Sequence, residues 1–339
     1  MHTAIGVLDG EESIRDKMLA LNGIRTRYYA QSPAGEPQTV SVYDLAAEAV
    51  AQLSRDGSLL GDETFLSAGT TYGPLAAPGI ASLLHDRAAA RGVLDQPVEI
   101  SSHSGICSSS AAAFVAATRA VASGEHTAAV SVGAEHASES LKASRIQPID
   151  DRNEHDDVRQ SQWFMCVFLR FMLSDGAGAF RVASEPTGRT NWEVEWTESR
   201  SMAHANPLCM QVESHSGRLT QDPRILASHL FPAGKIVLGE ALSRRGLTID
   251  DYDIVLPHLS SFYFRRKFER MMSALSPSAR TPDYWTNLET VGNTGAASLY
   301  LLVDGFRRTH TLEPGQRVLV LVPESGQFNF VVISMRAGG

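Results

Sequence analysis

An α/β fold built as two successive halves is what the sequence predicts. Three observations carry that prediction. Short apolar runs alternate with amphipathic or alanine-rich stretches along the chain. The alternation starts afresh after about residue 185, in the same style but with no literal repeat. At 339 residues the chain is too long for one simple core. Strands alternating with helices imply parallel-rich sheets covered on both faces.

In order, residues 38–54 read as an amphipathic helix with Val42, Leu45, Ala46, Ala49 and Leu53 on one face. Residues 65–69 form a buried strand, 70–78 a loop, and 79–90 a helix. An extended segment, 96–100, leads into an alanine-rich helix over 107–123, with Gly124 as its stop. A buried strand follows at 127–133, then a polar loop or lid at 147–165, then a strand, glycine turn and strand within 171–180. The second half opens at Trp192–Trp196 and continues with a helix at 224–245, a strand at 254–257, helices at 261–274 and 296–307, and strands at 317–322 and 328–335.

The composition, 43% hydrophobic and 20% charged with a net charge of -8, is that of an ordinary globular protein and argues against a nucleic-acid groove. The cysteines, Cys107, Cys166 and Cys209, share no C-x-x-C spacing, which excludes a disulfide framework and a zinc site. A reducing, cytoplasmic compartment fits them. Asp9, Glu11 and Glu12 interrupt any early apolar run, so no signal peptide is expected, and no run of about 18 apolar residues is present to span a membrane.

Chemistry concentrates at three strand–helix junctions. Cys107 lies where an extended segment meets an alanine-rich helix, and the positive end of a helix favours thiolate over thiol. A lone cysteine is otherwise a small buried hydrophobe. His258 directly follows the strand Val255-Leu256-Pro257, at the kind of strand end where α/β sheets place ligands, although it can also simply cap the next helix. Asn293 stands between Gly292 and Thr294-Gly295, before another alanine-rich helix, where a plain left-handed turn is the alternative.

Ser104-Gly105-Ile106-Cys107-Ser108-Ser109, Asp175-Gly176-Ala177-Gly178-Ala179, Leu256-Pro257-His258 and Gly292-Asn293-Thr294-Gly295-Ala296-Ala297-Ser298 together resemble the β-ketoacyl-acyl-carrier-protein synthase III family, as does Asn22-Gly23-Ile24-Arg25-Thr26-Arg27. The resemblance runs from about residue 22 to the last strand. It implies a thiolase-like fold, two similar halves stacked as five α/β/α/β/α layers, with residues 1–185 carrying Cys107 and residues 186–339 carrying His258 and Asn293. It also implies a homodimer. Asn22–Ala30, Pro257–Phe264 and Pro323-Glu324-Ser325-Gly326 are similar to the ketosynthases of dialkylresorcinol pathways, which join two preformed acyl chains.

The resemblance further implies roles. Cys107 takes an acyl group as a thioester, the N–H groups of Cys107 and Gly326 receive the oxyanion, and His258 and Asn293 stabilise the enolate of a second thioester. No bound cofactor or metal is needed, because both substrates ride on phosphopantetheine.

This chain also departs from the family pattern. The Phe that borders a malonyl group has no clear counterpart, so Glu324 or Glu135 is a possible general base toward a non-malonyl donor. Lys17 and Leu21 stand where the family has an adenine-stacking Trp and an Arg, which points to an acyl carrier protein rather than coenzyme A. Arg265, Arg266 and Lys267 could meet that acidic carrier, or could be a solvated helix face. A small residue near Ala77 replaces a pocket-filling Phe, and Trp163, Phe164, Phe168 and Phe171 line an acyl tunnel or belong to the core. His103, Ser104 and His136 are expected to shape the strand ends. Acyl transfer to a hydroxyl or amine, and a non-catalytic carrier-binding subunit, are the alternatives to carbon–carbon bond formation.

Overall fold

The computed structural model describes residues 2–32, 36–149, 151–186 and 191–338. Helices α1 (His2–Ile5) and α2 (Glu12–Asn22) precede α3 (Val42–Arg55), β1 (Glu63–Thr70), α4 (Ile80–Ala89), β2 (Glu99–Ser104), α5 (Ser109–Ala122) and β3 (Ala128–Glu135). Then come α6 (Ala143–Ile146), α7 (Gln162–Arg170), β4 (Gly176–Ala183), β5 (Trp192–Ser201), the short pair β6 (Met210–Val212) and β7 (Leu219–Gln221), and the long helix α8 (Pro223–Ser243). The chain ends with β8 (Ile254–Pro257), α9 (Arg265–Ser273), α10 (Leu288–Val291), α11 (Ser298–Thr309), β9 (Arg317–Pro323) and β10 (Asn329–Ala337).

Two four-stranded sheets organise these elements, in the orders β2-β1-β3-β4 and β5-β10-β9-β8. β1 is parallel to both β2 and β3, and only β4 runs antiparallel in the first sheet. The expectation of parallel-rich sheets fails in the second, where β10 is antiparallel to β5 and β9 and only β8 and β9 are parallel. The reason is the chain ending: β9 and β10 are joined by a short hairpin rather than a crossover helix.

Helices α3 and α4 cover the outer face of the first sheet with Ala46, Val50, Ala81 and Leu84. Between the sheets lie α5 and α11, which bring Phe114, Leu299, Val303 and Phe306 against Val318, Val320 and Ile333. On the far side α8 and α9 pack Leu238, Leu242, Phe268 and Met272 against Leu319, Leu321 and Val332. The order is therefore helices, sheet, helices, sheet, helices.

A row of glycines sets how deeply the central helices sit. Gly69, Gly133 and Gly178 are aligned across β1, β3 and β4. A Cβ at Gly69 would stand 2.5 Å from Ser110 at the start of α5, and one at Gly133 would stand 2.6 Å from the Tyr300 ring of α11; Gly178 faces the same tyrosine. Side chains there would push both helices off the sheet. Without them, the N-terminal ends of α5 and α11, next to Cys107 and Asn293, are drawn to the same end of the first sheet.

Several boundaries differ from the sequence expectation. The first amphipathic helix begins at Val42, because Ser41 and Asp44 form a capping box there. The polar stretch 147–165 ends in the helix α7, capped by Ser161, rather than in an open loop. Residues 171–175 are not a strand, and the glycines after them lie inside β4 instead of making a turn. The helices before residue 23 and the β6–β7 hairpin have no counterpart in the sequence reading. Among the described residues one helix, α8, is long and apolar enough to cross a membrane, although no uninterrupted apolar run reaches that length. Its Leu226, Leu230, Val237 and Leu238 are buried, as in a core helix.

Candidate active site

Cys107 lies in the tight turn between β2 and α5 and is 7% exposed. Hydrogen bonds from the other half of the chain hold that turn. The Ile106 N–H donates to Glu324 Oε2 at 3.2 Å, and the Ser108 hydroxyl donates to the same oxygen. Asn329 Nδ2 in turn donates to Ser108 Oγ at 2.8 Å. Gly326 is packed against the turn as well, since a Cβ there would lie 2.9 Å from Ile106 Cγ1.

The expectation of a thiolate favoured by the helix terminus is overturned. Burial pushes the Cys107 thiol up, and the charges of Glu135 and Glu324 push it further. The helix proper starts only at Ser109, so its field does not offset desolvation beside two carboxyl groups. Cys107 therefore rests as a thiol.

His258 emerges from β8 with its N–H on Leu321 O at 2.8 Å. Its ring is buried and its Nε2 has no hydrogen-bond partner among the described residues. Burial lowers its pKa to about 4, so the imidazole is neutral near pH 7. A buried polar atom left unpaired is costly and points to a ligand that completes it.

Asn293 is fixed by its backbone, with its N–H on Met172 O at 3.1 Å and its carbonyl accepting from Ser174 at 2.8 Å. Its Oδ1 accepts from the Gly295 N–H at 3.0 Å, which turns the Nδ2 donor away from its own loop. Gly292, at φ 79°, permits the reversal just before it.

Glu135, at the end of β3, reaches the same loop. Its Oε2 accepts from the Ala296 N–H at 2.9 Å and from the Thr71 hydroxyl. Burial raises its pKa to about 7, with these hydrogen bonds opposing the rise.

Cys107 and His258 open on one cavity, with about 780 Å³ of empty space including its mouth. The ends of β8 and β9 contribute Pro257, Leu321 and Pro323, and the loop after β9 adds Ser325. Its long wall is α8, with Leu226, Leu230, Gly234 and Leu238, faced by Phe268 and Met271 of α9. The lining is almost wholly apolar, as suits a hydrocarbon chain. Asn293, Glu135 and Glu324 do not line this cavity; the two carboxyl groups reach Cys107 electrostatically.

The remaining predicted residues divide. Trp163 and Phe171 belong to a separate core cluster with Leu8, Met18 and Ile146, and Phe164 and Phe168 pack against it, so none of the four lines the cavity. Arg265 is paired with Glu269 at 3.0 Å, and Lys267 donates to Ala227 O at 3.0 Å, while Arg266 is exposed. Lys17 and Leu21 are exposed on α2, and Ala77 lies on an exposed loop. His103 donates to or accepts from Ser101 Oγ at 3.0 Å, and His136 meets Ala30 O at 3.0 Å and Asp175 at 3.6 Å. Cys166 and Cys209 are buried, with burial raising both thiols to about 12. No group of His, Cys, Asp and Glu among the described residues could hold a metal ion.

Comparison with known proteins places this geometry. Residues 242–327 match the 3-oxoacyl-[acyl-carrier-protein (ACP)] synthase III C-terminal domain. Along most of its length the chain is similar to the β-ketoacyl-acyl-carrier-protein synthase III family. It is 25% identical over 319 residues to β-ketoacyl-[acyl-carrier-protein] synthase III of Acholeplasma laidlawii, covering 91% of this chain and 85% of that protein. The 3-oxoacyl-[acyl-carrier-protein] synthase III structure from Aquifex aeolicus superposes with a TM-score of 0.71 at 20% identity, over 96% of this chain and 93% of that one. OleA of Xanthomonas campestris, whose structure holds lauric acid and lauroyl-CoA, gives 0.76 at 18% identity, over 96% and 92%. The fold is thiolase-like, as the motifs imply, and the chain is an acyltransferase of the ketosynthase III type.

Proposed function

We propose that this ketosynthase joins two acyl thioesters, both delivered on an acyl carrier protein, by forming a carbon–carbon bond through an acyl-Cys107 intermediate. The observation that carries the reading is the shared apolar cavity of Cys107 and His258, with the imidazole Nε2 buried and unpaired. Cys107 Sγ attacks the first thioester carbonyl, the carrier sulfur leaves with the proton that the thiol gives up, and the N–H groups of Cys107 and Gly326 hold the oxyanion. Glu135, with a pKa of about 7, takes the α-proton of the second thioester. His258 Nε2–H and Asn293 Nδ2–H hold the enolate oxygen. The enolate carbon attacks the acyl-Cys107 carbonyl, and the released sulfur takes back the proton from Glu135. Glu324 is a positioning residue here, since it already holds the Ile106 and Ser108 turn.

We place the active unit as a homodimer of two-half subunits, divided near residue 186 and working in the cytoplasm. The unpaired β2 edge, with Ile100 43% exposed, and Leu75 at 53% on the adjoining loop support the dimer. The three buried free thiols suit a reducing compartment. Exposed Arg266 beside Arg265 and Lys267 is our docking point for the carrier, and two preformed chains, as in dialkylresorcinol synthesis, are our preferred substrates. Product analysis with malonyl, 3-oxoacyl and unsaturated carrier thioesters tests this. A carbon–carbon product supports the reading; an ester or amide formed with added alcohols or amines overturns it.

A further inference from the structure

The cavity is not uniform along its length. The α8 stretch from Leu226 to Leu238 walls it over 12 residue steps, about 18 Å at the rise of a helix. Within this stretch Gly234 faces across to α9 and β10. A Cβ added to Gly234 would lie 3.1 Å from Phe330 Cε1 and 3.5 Å from Met271 Sδ, and all three residues line the cavity. Gly234 is an ordinary helical position with no left-handed φ to require glycine. Glycine in a helix interior costs about 1 kcal/mol relative to alanine, so its presence calls for a reason in packing. The close approach of Phe330 and Met271 to this face of α8 supplies one.

We propose that Gly234, Phe330 and Met271 form a waist that sets how long an acyl chain Cys107 can carry, and that the chain accepted is a long hydrocarbon lying under α8. The proposal rests on the acyl-Cys107 reading and adds its chain-length selectivity. On this proposal a long hydrocarbon reaches the waist, whereas a butanoyl group stops short of it.

The test compares wild type, Gly234→Ala and Met271→Ala. Each full-length protein is mixed with acyl-pantetheine thioesters from butanoyl to hexadecanoyl, and the acyl adduct is read by intact-protein mass spectrometry. The ratio of hexadecanoyl to butanoyl acylation rates should fall roughly tenfold or more in Gly234→Ala, and rise in Met271→Ala. Opposite shifts in two variants exclude a common loss of folding. Calorimetric binding of hexadecanoate reads the waist independently of the thiol and should change in the same directions. Unchanged length profiles and unchanged hexadecanoate affinity overturn the waist. No adduct from any chain, together with shifted hexadecanoate binding, keeps the waist and overturns the acyl-enzyme.

Discussion

Replacing Glu135 with Gln tests the buried carboxyl that the proposed chemistry relies on. The variant keeps a side-chain oxygen for the Ala296 N–H and the Thr71 hydroxyl, and removes only the ability to ionise. Burial raises the pKa of Glu135 from the ordinary 4.5 to about 7. The native state therefore holds this proton where the unfolded chain has released it. Its stabilising effect is fully present below about 4.5 and is lost as pH rises through about 7, where the buried group must carry charge. A rise of this size corresponds to about 3 kcal/mol. Glutamine has no such dependence. Urea unfolding of both proteins at about pH 5 and about pH 8 isolates the effect, because every other titrating group is common to the pair. The stability of Glu135→Gln relative to wild type should increase by about 2–3 kcal/mol between the two conditions, part of the full effect being lost already at about pH 5. Parallel pH curves would refute a carboxyl with a raised pKa at this position, and with it the base assigned to the reaction.

Further outcomes follow from the same geometry. His258→Ala should lower condensation about 10²–10³-fold while acyl-Cys107 accumulates, measured by single-turnover mass spectrometry; loss of acylation instead would move His258 to the first step. Because burial, and after it the charges of Glu135 and Glu324, hold the Cys107 thiol protonated, iodoacetamide should label it slowly near neutral pH, and faster in Glu135→Gln. Glu324→Ala leaves the Ile106 N–H without its carboxylate, and thermal unfolding with burst-phase acylation should show a loss of about 1–3 kcal/mol and slower acyl transfer. Gly178→Val drives a side chain into Tyr300 and should cost about 3 kcal/mol, read by urea unfolding.

How much of this is legible in the sequence depends on whether a signal is local. Cys107, His258 and Asn293 are marked by their neighbours: an extended run before an alanine-rich helix, a strand ending in Pro257, and glycines around an Asn. Their motifs resemble one family, so the fold class and the two sheets follow together. The cavity is a different matter. Leu226, Leu230 and Leu238 make an apolar helix face that reads the same whether it packs solidly or walls a tunnel, and Trp163 and Phe171 look equally suited to lining one until their burial against Leu8 and Met18 is seen. Gly234, an unforced glycine within a helix, is a local hint, but Gly239 of the same helix reads alike and lies off the cavity. Ser108 and Asn329 are invisible for another reason: their hydrogen bonds join residues about two hundred positions apart. The thiol is misread because a helix terminus is a local feature, while its burial, and the carboxyl groups beside it from β3 and from the loop after β9, arise only in the folded chain.

The account turns on an acyl group becoming covalently attached to one sulfur. Wild-type protein incubated with an acyl-loaded carrier protein should gain the mass of that acyl group on the peptide containing Cys107, and Cys107→Ala should gain none. An unmodified wild-type protein, or an adduct found on Cys166 or Cys209 instead, would contradict it.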